Sequence, residues 1–372
     1  MFLTIILTIK DRDDIALVDL VDEVANNELL RYIDENRSHA TQLVFSAFGW
    51  ITMLYDPSLN PEKNSLQILC PPSSNPRTSK LSLIQRRSRH KSQTFSNLRQ
   101  DLELSDQPFP SLLTVFGNIL PEANVSGIGG HTGRFLHMSR WEDTIQPSNL
   151  CFYNLHKLLN VNIHWVDCLS QHLEFDSHAK VLKLFRYPSL CLVMSYNEKS
   201  CLSRLFSDYA DSKGFAVHGK DDAGDYFKEI ILSYCLMFGQ QKSNLGGSVV
   251  TETIWNSPGE RDPDPLLDIL CRPNWDGDDL ANFLDEIDAT IPMDDFSATK
   301  VFKFHGPRLL IIQRAIQSYQ PDGIGSLWHD TRDAYKWWTL WAVLAMGGIA
   351  IILGLIQVVL QACQLYFTIR PI

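Results

Sequence analysis

One short stretch of the chain groups side chains that could do chemistry. In "QHLEFDSH", His172, Glu174 and Asp176 lie two residues apart. Side chains two apart on a β-strand project to the same side, so this spacing predicts an imidazole and two carboxylates on one strand face. Such a face could bind a metal ion or carry out acid–base catalysis. The alternative, which the sequence favours, is the solvated face of a half-buried strand.

Two further stretches are similar to ligand-binding loops but depart from them. In "SGIGGHTG" (126–133), Thr132 stands where the dinucleotide fingerprint requires glycine. In "DGDDLANFLDEID", Leu280 and Ala281 stand where a calcium loop needs a ligand and a glycine. We expect an ordinary loop at 126–133 and a helix capped by Asp278. With no complete catalytic motif in the chain, neither a metal nor a cofactor is expected.

Charge and cysteine content exclude several classes of protein. The formal net charge is −10, which argues against general affinity for nucleic acid. The eight cysteines (70, 151, 168, 191, 201, 235, 271 and 363) form no C-x-x-C pair and no tight cluster. This spacing argues against a zinc site or a disulfide scaffold and predicts reduced thiols in the cytosol.

The elements around the His172 stretch predict an α+β fold. Three alternating segments, "VNIHWVD", "QHLEFD" and "KVLKLFRYP", indicate a short antiparallel β-meander with one buried face. A helix capped by Ser148 precedes it. Helical spacing of apolar residues predicts further helices in "CLSRLFSDYA", "DYFKEIILSYCLMFGQ", "WDGDDLANFLDEIDA" and "GPRLLIIQRAIQSY". The predicted fold class is a mixed soluble domain with several helices and one C-terminal transmembrane helix.

The N-terminal segment predicts a strand followed by helix and core. The apolar run at 2–9 contains two threonines and is followed by acids, so we interpret it as a short strand rather than a secretion signal. Residues 12–36 show helical spacing. The largely apolar segment 43–55 is too short to cross a bilayer and is expected in the core.

Composition divides the chain into five parts. Residues 1–70 form an N-terminal helical and core segment, and 71–107 form a mobile basic insert rich in Ser and Pro. Residues 63–100 carry eight Lys or Arg and no acid, whereas 260–295 carry twelve acids and two Arg. The globular α+β region spans 108–325, a juxtamembrane stem spans 326–339, and the transmembrane helix follows.

The C-terminal stretch has the length of a membrane span. From 337 to 369 there is no charged residue, and 340–360 is apolar or small except for Gln357. Twenty helical steps cover about 30 Å, the thickness of the hydrocarbon core. Aromatic residues flank this segment, and the interfacial belts reach Trp337 and Phe367. The sequence therefore predicts a single membrane-spanning helix with the lipid bilayer as its partner.

One side of that helix carries small and amide side chains. They recur at spacings of three and four within an arc of about 100°. Small residues let helices approach, and Gln can hydrogen-bond across helices in lipid. We call this set the seam; it predicts self-association or a partner helix, although Gly and Ala are also common in isolated spans. Its members are Gly347, Ala350, Gly354, Gln357, Gln361 and Gln364.

The position of the span predicts the orientation. Five residues follow Phe367, so the span is expected to insert after synthesis, as in tail-anchored proteins. This places the bulk of the chain in the cytosol, with the endoplasmic reticulum as the favoured membrane. Sequons at Asn36 and Asn124 should then carry no sugar.

Four stretches carry a resemblance to a known group of proteins. They are "VFSAFGWITMLYDP", "VDCLSQHLEFDSHAKVLKLFRYPSLC", "ILSYCLMFGQ" and "LWHDTRDAYKWWTLWAVLAMGGIAIILGLIQ". The chain resembles a large, lineage-expanded group of single-span proteins of filamentous ascomycete fungi, whose activity is not established. The resemblance implies a fungal source, a C-terminal anchor and a role in specialised metabolism or host interaction. It implies no functional residues.

Two classes of function remain open. The first is a membrane-tethered interaction or accessory module that faces the cytosol. The second is a membrane-anchored enzyme with a metal or acid–base site on the face of His172, Glu174 and Asp176. The lack of a complete catalytic motif favours the first.

Overall fold

The computed structural model combines helices and short strands, which confirms the α+β class. Most of the described helices and strands contribute to one buried apolar cluster, and the last helix, at the C-terminus, is apolar along most of its length. The structure describes residues 1–12, 15–31, 36–58, 65–70, 96–116, 119, 144–197, 200, 202–203, 205, 222–239, 264–271, 282–283, 285–286, 295–319 and 334–369.

The N-terminal run is a helix, so the predicted strand is wrong. Helix α1 spans Phe2–Asp11 and buries Ile5 and Ile9, which lie one helical turn apart. The Thr8 hydroxyl donates to the Thr4 carbonyl at 2.8 Å, an intrahelical bond that Thr often makes. Packing of this face against the core overrides the strand preference of Ile and Thr.

Two further helices complete the N-terminal unit. Helix α2 spans Leu17–Asn26, shorter than the predicted 12–36, and the chain turns at Glu28 with a φ of 58°. Helix α3 spans Arg37–Thr52 and buries ten residues, which confirms that most of 43–55 is core. Helix α1 packs against both α2 and α3.

A three-stranded antiparallel sheet follows α3. Its strands are β1 (Asp56–Pro57), β2 (Ser65–Cys70) and β3 (Ser96–Asp101). A 3-10 helix, Leu102–Asp106, and helix α4, Phe109–Val115, continue the chain. Residues 96–106, which the sequence assigns to the basic insert at 71–107, form a strand and a 3-10 helix; residues 71–95 lie outside the described part of the chain.

The predicted helix at 148–159 is two helices. Strand β4 (Thr144–Ile145) leads into α5 (Pro147–Leu150) and α6 (Phe152–Leu159), with Cys151 between them. Ser148 lies inside α5 rather than at a cap. Helix α6 ends at Leu159, and the next residue, Asn160, has a φ of 56°, the left-handed conformation that follows many helices.

The three predicted strands around His172 form a sheet with an unexpected order. Strands β5 (Asn162–Val166), β6 (Phe175–Asp176) and β7 (Val181–Phe185) are arranged β5-β7-β6. Only β6 and β7 pair antiparallel, whereas β5 runs parallel to β7. Alternation of apolar residues locates strands but does not encode the direction of pairing, so the meander connection was wrong.

The remaining helices close the core around this sheet. They are α7 (Pro188–Tyr196), α8 (Asp222–Phe238), α9 (Pro265–Leu270) and α10 (Gly306–Gln317). Strand β8, Phe296–Ser297, pairs antiparallel with β4. Gln313 of α10 fastens this edge, because its Oε1 accepts the Gln146 N–H at 2.7 Å and its Nε2 donates to the Thr144 carbonyl at 2.8 Å.

Helix α11 spans Ala334–Ile369 and stands apart from the core in its burial. The buried apolar cluster draws on α1 through α10 and contains none of the α11 residues whose side chains the structure describes. Within α11, every residue from 349 to 365 is exposed. The predicted "CLSRLFSDYA" and "WDGDDLANFLDEIDA" helices are described only at 202–203, 205, 282–283 and 285–286, which are helical.

Candidate functional site

The predicted strand face of His172, Glu174 and Asp176 does not form. His172 lies in a turn after the 3-10 helix Leu169–Gln171 and is fully buried. The Glu174 carboxylate instead pairs with Lys183 Nζ at 2.7 Å. Asp176 Oδ1 accepts the backbone N–H groups of the turn that follows it, two bonds of 2.9 Å. Among the described residues, no three His, Cys, Asp or Glu side chains are placed to hold a metal ion.

The His172 ring is held in a defined tautomer by its two hydrogen bonds. Its Nδ1 accepts the backbone N–H of Phe185 at 3.2 Å, so the proton resides on Nε2. Nε2 lies 2.8 Å from Ser233 Oγ, and that hydroxyl donates to the Ile230 carbonyl at 2.6 Å. Burial, together with the positive charge of Arg308, lowers the pKa of His172 to about 3.

This tautomer decides what the Ser233–His172 pair can do. A serine nucleophile needs an unprotonated imidazole nitrogen facing its hydroxyl. Here the nitrogen that faces Ser233 carries the proton, and the hydroxyl already donates to a carbonyl. Both side chains are also fully buried. The pair is therefore a structural contact between the His172 turn and α8 rather than a nucleophile and its base.

A second buried pair, Glu229 and His305, joins α8 to the start of α10. Glu229 Oε2 lies 3.2 Å from His305 Nδ1 and accepts the backbone N–H groups of Phe304 at 3.0 Å and His305 at 2.8 Å. Burial raises the pKa of Glu229 well above its ordinary value, although these N–H groups oppose the shift. Burial lowers the pKa of His305 well below its ordinary value. Burial therefore disfavours the charged form of both Glu229 and His305.

Aromatic rings and an arginine link the two pairs into one network. The His172 and His305 rings meet edge to face with centroids 5.4 Å apart, and Tyr226 stacks on His305 at 4.9 Å. The Arg308 guanidinium donates to the His172 carbonyl, and the Tyr234 hydroxyl donates to the Phe185 carbonyl. The network therefore fixes β7, α8 and the start of α10 relative to one another, and its role is structural.

Sequence reasoning missed this network, although one signal was present. Glu229 and Ser233 lie on the same side of α8 as Tyr226, three and seven residues further along. A charged residue on the apolar face of a helix indicates a buried polar partner, because an unpaired buried charge is costly. His305 carries no comparable signal, since its partner lies 76 residues away.

The second candidate site is α11 itself. Its segment Trp341–Leu365 is 25 residues long, contains no charged residue and is not buried against the rest of the chain. At 1.5 Å per residue it covers about 37 Å, more than the hydrocarbon thickness of a bilayer. The segment contains nearly all of the predicted span at 340–360 and extends five residues beyond it. The chain thus has one C-terminal helix that is long and apolar enough to cross a membrane.

All six seam residues lie on α11. A Cβ atom added at Gly347 or Gly354 would meet nothing within 4 Å, and the same holds at Gly348, off the seam. The glycines of α11 are therefore not required by packing within the chain. Two other stretches with functional expectations, 126–133 and 276–281, lie outside the described residues.

No protein-family model, curated protein or solved structure matches the chain. What can be said of its function therefore comes from its own residues.

Proposed function

We propose that this is a membrane-anchored protein whose C-terminal helix holds an α+β domain at the cytosolic face of a membrane, where it acts as an interaction module. The observation that carries the proposal is the exposed apolar segment Trp341–Leu365 of α11. The favoured membrane is the endoplasmic reticulum.

The exposure of α11 has a large energetic consequence in water. Leu353, Leu355 and Ile351 are 60%, 63% and 67% exposed. Burying a side chain of this size is worth roughly 1.5–3 kcal/mol, and more than a dozen such side chains are exposed along the helix. In a bilayer these side chains lie in hydrocarbon, and the helix satisfies its own backbone hydrogen bonds. A lipid environment is therefore the stable one for this helix.

Two features of the folded domain support the cytosolic orientation. Helix α1 contributes Ile5 and Ile9 to the core, so the N-terminal apolar run is part of the fold. Cys191, Cys235 and Cys271 are buried reduced thiols, a state typical of cytosolic proteins. Burial raises the pKa of Cys235 to about 12, so this thiol stays protonated and unreactive.

The seam supports the interaction role. Glycine inside a helix is about 1 kcal/mol less favourable than alanine, and neither Gly347 nor Gly354 is required by a neighbour within the chain. Close approach of a second helix offsets that cost in a membrane. Gln357, Gln361 and Gln364 on the same side can add hydrogen bonds across helices. The fungal single-span proteins that the sequence resembles suggest the same anchored arrangement.

An enzyme acting through His172, Glu174 and Asp176 is not proposed. No observation favours it, because these three side chains face different surroundings and His172 is fully buried.

Two measurements on the full-length chain test the proposal. Carbonate extraction should leave the chain in the membrane pellet, and its release into the supernatant would refute the anchor. Asn36, which is exposed at the start of α3, and Asn124 should carry no sugar, whereas a sequon added after Ile372 should be glycosylated. A glycosidase-sensitive shift of the unmodified chain would refute the cytosolic orientation. Absence of glycosylation at all three sites would refute insertion into the endoplasmic reticulum.

A further inference from the structure

Helix α1 presents apolar side chains to the outside of the domain as well as to its core. Ile5 and Ile9 are buried, yet Phe2, Leu3 and Leu7 are 49%, 68% and 47% exposed. A surface helix of a soluble domain normally shows polar residues on its outer side. The exposed apolar side of α1 therefore lacks a partner within the described part of the chain.

The exposed side chains form one continuous face. At 100° per residue, Phe2, Leu3, Ile6 and Leu7 fall within an arc of about 140°. Lys10, at the end of the helix, falls on the same arc and is exposed. We call these five residues the α1 outer face. It combines aliphatic and aromatic side chains with a cation at one end.

Exposed apolar residues concentrate around this helix. Outside α11, the described residues include ten large apolar side chains that are well exposed, and six of them lie within the first 50 positions. Besides the three on α1, they are Leu29, Leu43 and Trp50. Leu43 and Trp50 lie two turns apart on the same side of α3, which packs against α1. Among the described residues outside α11, the N-terminal unit thus carries most of the large apolar side chains that are well exposed.

We propose that the α1 outer face docks on the lipid surface in which α11 is anchored. This inference rests on the proposed anchoring, because the anchor keeps a bilayer next to the domain at all times. Tethering makes the contact intramolecular, so a weak apolar face is enough to hold it.

The chemistry of the face fits a bilayer interface. Short amphipathic helices lie in this layer with Leu and Phe among the acyl chains and Lys towards the phosphates. Lys10 supplies such a cation, and a Trp such as Trp50 suits the boundary between headgroups and hydrocarbon. The two threonines of α1 lie outside the arc, and Thr8 already donates its hydroxyl proton within the helix. The outer face offers only apolar groups and one cation, as a lipid surface requires.

The test places an environment-sensitive fluorescent amino acid at single positions of the full-length chain in liposomes that contain spin-labelled lipid. Position 3 reports on the α1 outer face. Position 178, in an exposed turn, is the aqueous control, and position 355 reports on α11. We expect blue-shifted emission and at least twofold stronger lipid quenching at position 3 than at position 178. Position 355 should show strong quenching.

Each pattern of results separates the two proposals. Water-like emission at position 3 with quenching at position 355 would overturn the docking of α1 and leave the anchor intact. Water-like emission at both positions would refute the anchor itself. If the signal at position 3 disappears on a hundredfold dilution of protein into lipid, the face binds a second copy and the lipid docking is wrong.

A variant provides a second test. Leu3→Glu with Leu7→Glu changes exposed side chains, so the fold should persist. An unchanged urea unfolding curve would show this. With the label moved to position 2, the emission of the variant should lose its blue shift, and the quenching by spin-labelled lipid should fall at least twofold. Matched exposed changes on α7, Val193→Glu with Tyr196→Glu, should leave both signals unchanged. Equal signals in both variants would overturn the proposal.

Discussion

Helices α8 and α11 are both rich in apolar residues, yet α8 is largely buried in the folded chain and α11 is largely exposed. Every residue of α8 from 229 to 238 is buried, whereas every residue of α11 from 349 to 365 is exposed. Helix α8 also carries Glu229 and Ser233, and each has a partner in another element. The apolar segment of α11 has no charged residue to pair.

The difference shows how polar residues determine where an apolar helix belongs. In α8, the hydrogen bonds of Glu229 and Ser233 are satisfied only when the turn at His172 and the start of α10 are in place. An unmade buried bond costs about 1–3 kcal/mol, so α8 fits one position in the domain. The segment 349–365 of α11 is exposed along its whole length, so its environment depends on the medium around the domain. Five predictions test this contrast.

The largest effect is expected from charges placed in the middle of α11. Each arginine at the centre of a span costs about 2.5–3.5 kcal/mol of insertion free energy. Ile351→Arg with Ile352→Arg should therefore release most of the full-length chain from membranes in carbonate. The matched pair in α8, Ile230→Arg with Ile231→Arg, should remain membrane-bound but become sensitive to limited proteolysis. The contrast between the helices fails if the two pairs behave alike.

A truncation in each helix should separate their contributions to the stability of the domain. Phe227 of α8 is fully buried, and Phe227→Ala should lower the free energy of unfolding by about 3–5 kcal/mol. Leu353 of α11 is 60% exposed, and Leu353→Ala should change it by less than about 0.5 kcal/mol. Urea unfolding of the full-length chain in detergent gives both values. A comparable loss in the α11 variant would place α11 inside the domain.

The buried polar groups around α8 predict an acid-labile domain. His172, with a pKa of about 3, stays neutral when folded, but an unfolded histidine takes up a proton below about pH 6.5. The unfolded state then binds more protons, so stability falls as the pH falls from 6.5 towards 3. His305 adds to this trend because its pKa is also lowered. Unfolding curves should show a loss of up to about 1.4 kcal/mol per pH unit for each histidine.

Glu229 changes the pH dependence of stability in the opposite direction to the two histidines. A substitution of Glu229 therefore separates its contribution from theirs. Its raised pKa favours the folded state below about pH 4.5, and that advantage is lost as the pH rises towards its folded value. Glu229→Gln should therefore gain stability relative to the parent chain between pH 4.5 and pH 7. If Glu229→Gln instead lowers the stability relative to the parent chain more at pH 7 than at pH 4, Glu229 is held as an anion.

The smallest effect concerns the seam of α11. Gly354→Leu should weaken association between labelled copies in liposomes about 3- to 30-fold, because a bulky side chain there separates the helices and breaks hydrogen bonds of the seam glutamines, which contribute about 0.6–2 kcal/mol each. Gly348→Leu, on another side of the helix, is the matched control and should have no effect. Energy transfer between donor- and acceptor-labelled chains measures the association. Equal effects at both positions would show that the seam is not an interface.

The sequence revealed those features that depend on long local patterns. The long apolar segment of α11 was predicted because its length and lack of charge are those that a bilayer requires. Helices α8 and α10 were predicted because their apolar residues recur at helical spacing over many residues. Helix α1 was not, since ten residues rich in Ile and Thr suit a strand equally well until Ile5 and Ile9 meet the core.

The site residues could not be predicted for a different reason. His172 looked like part of an exposed strand face because Glu174 and Asp176 follow it at strand spacing. Its environment is decided by Ser233, 61 residues later, and by Arg308, 136 residues later. The parallel pairing of β5 with β7 likewise depends on the path of the chain between them.

The bonds of Gln313 set an order of events during synthesis. Its partner Gln146 lies 167 residues earlier in the chain. A ribosome adds about 5–20 residues per second, so roughly 10–30 s pass between the synthesis of Gln146 and that of Gln313. During this interval the β4 edge lacks α10, and Ile145, which is buried in the finished domain, has no cover from that helix. The β4 edge of the nascent chain therefore stays open to aggregation until α10 has been made.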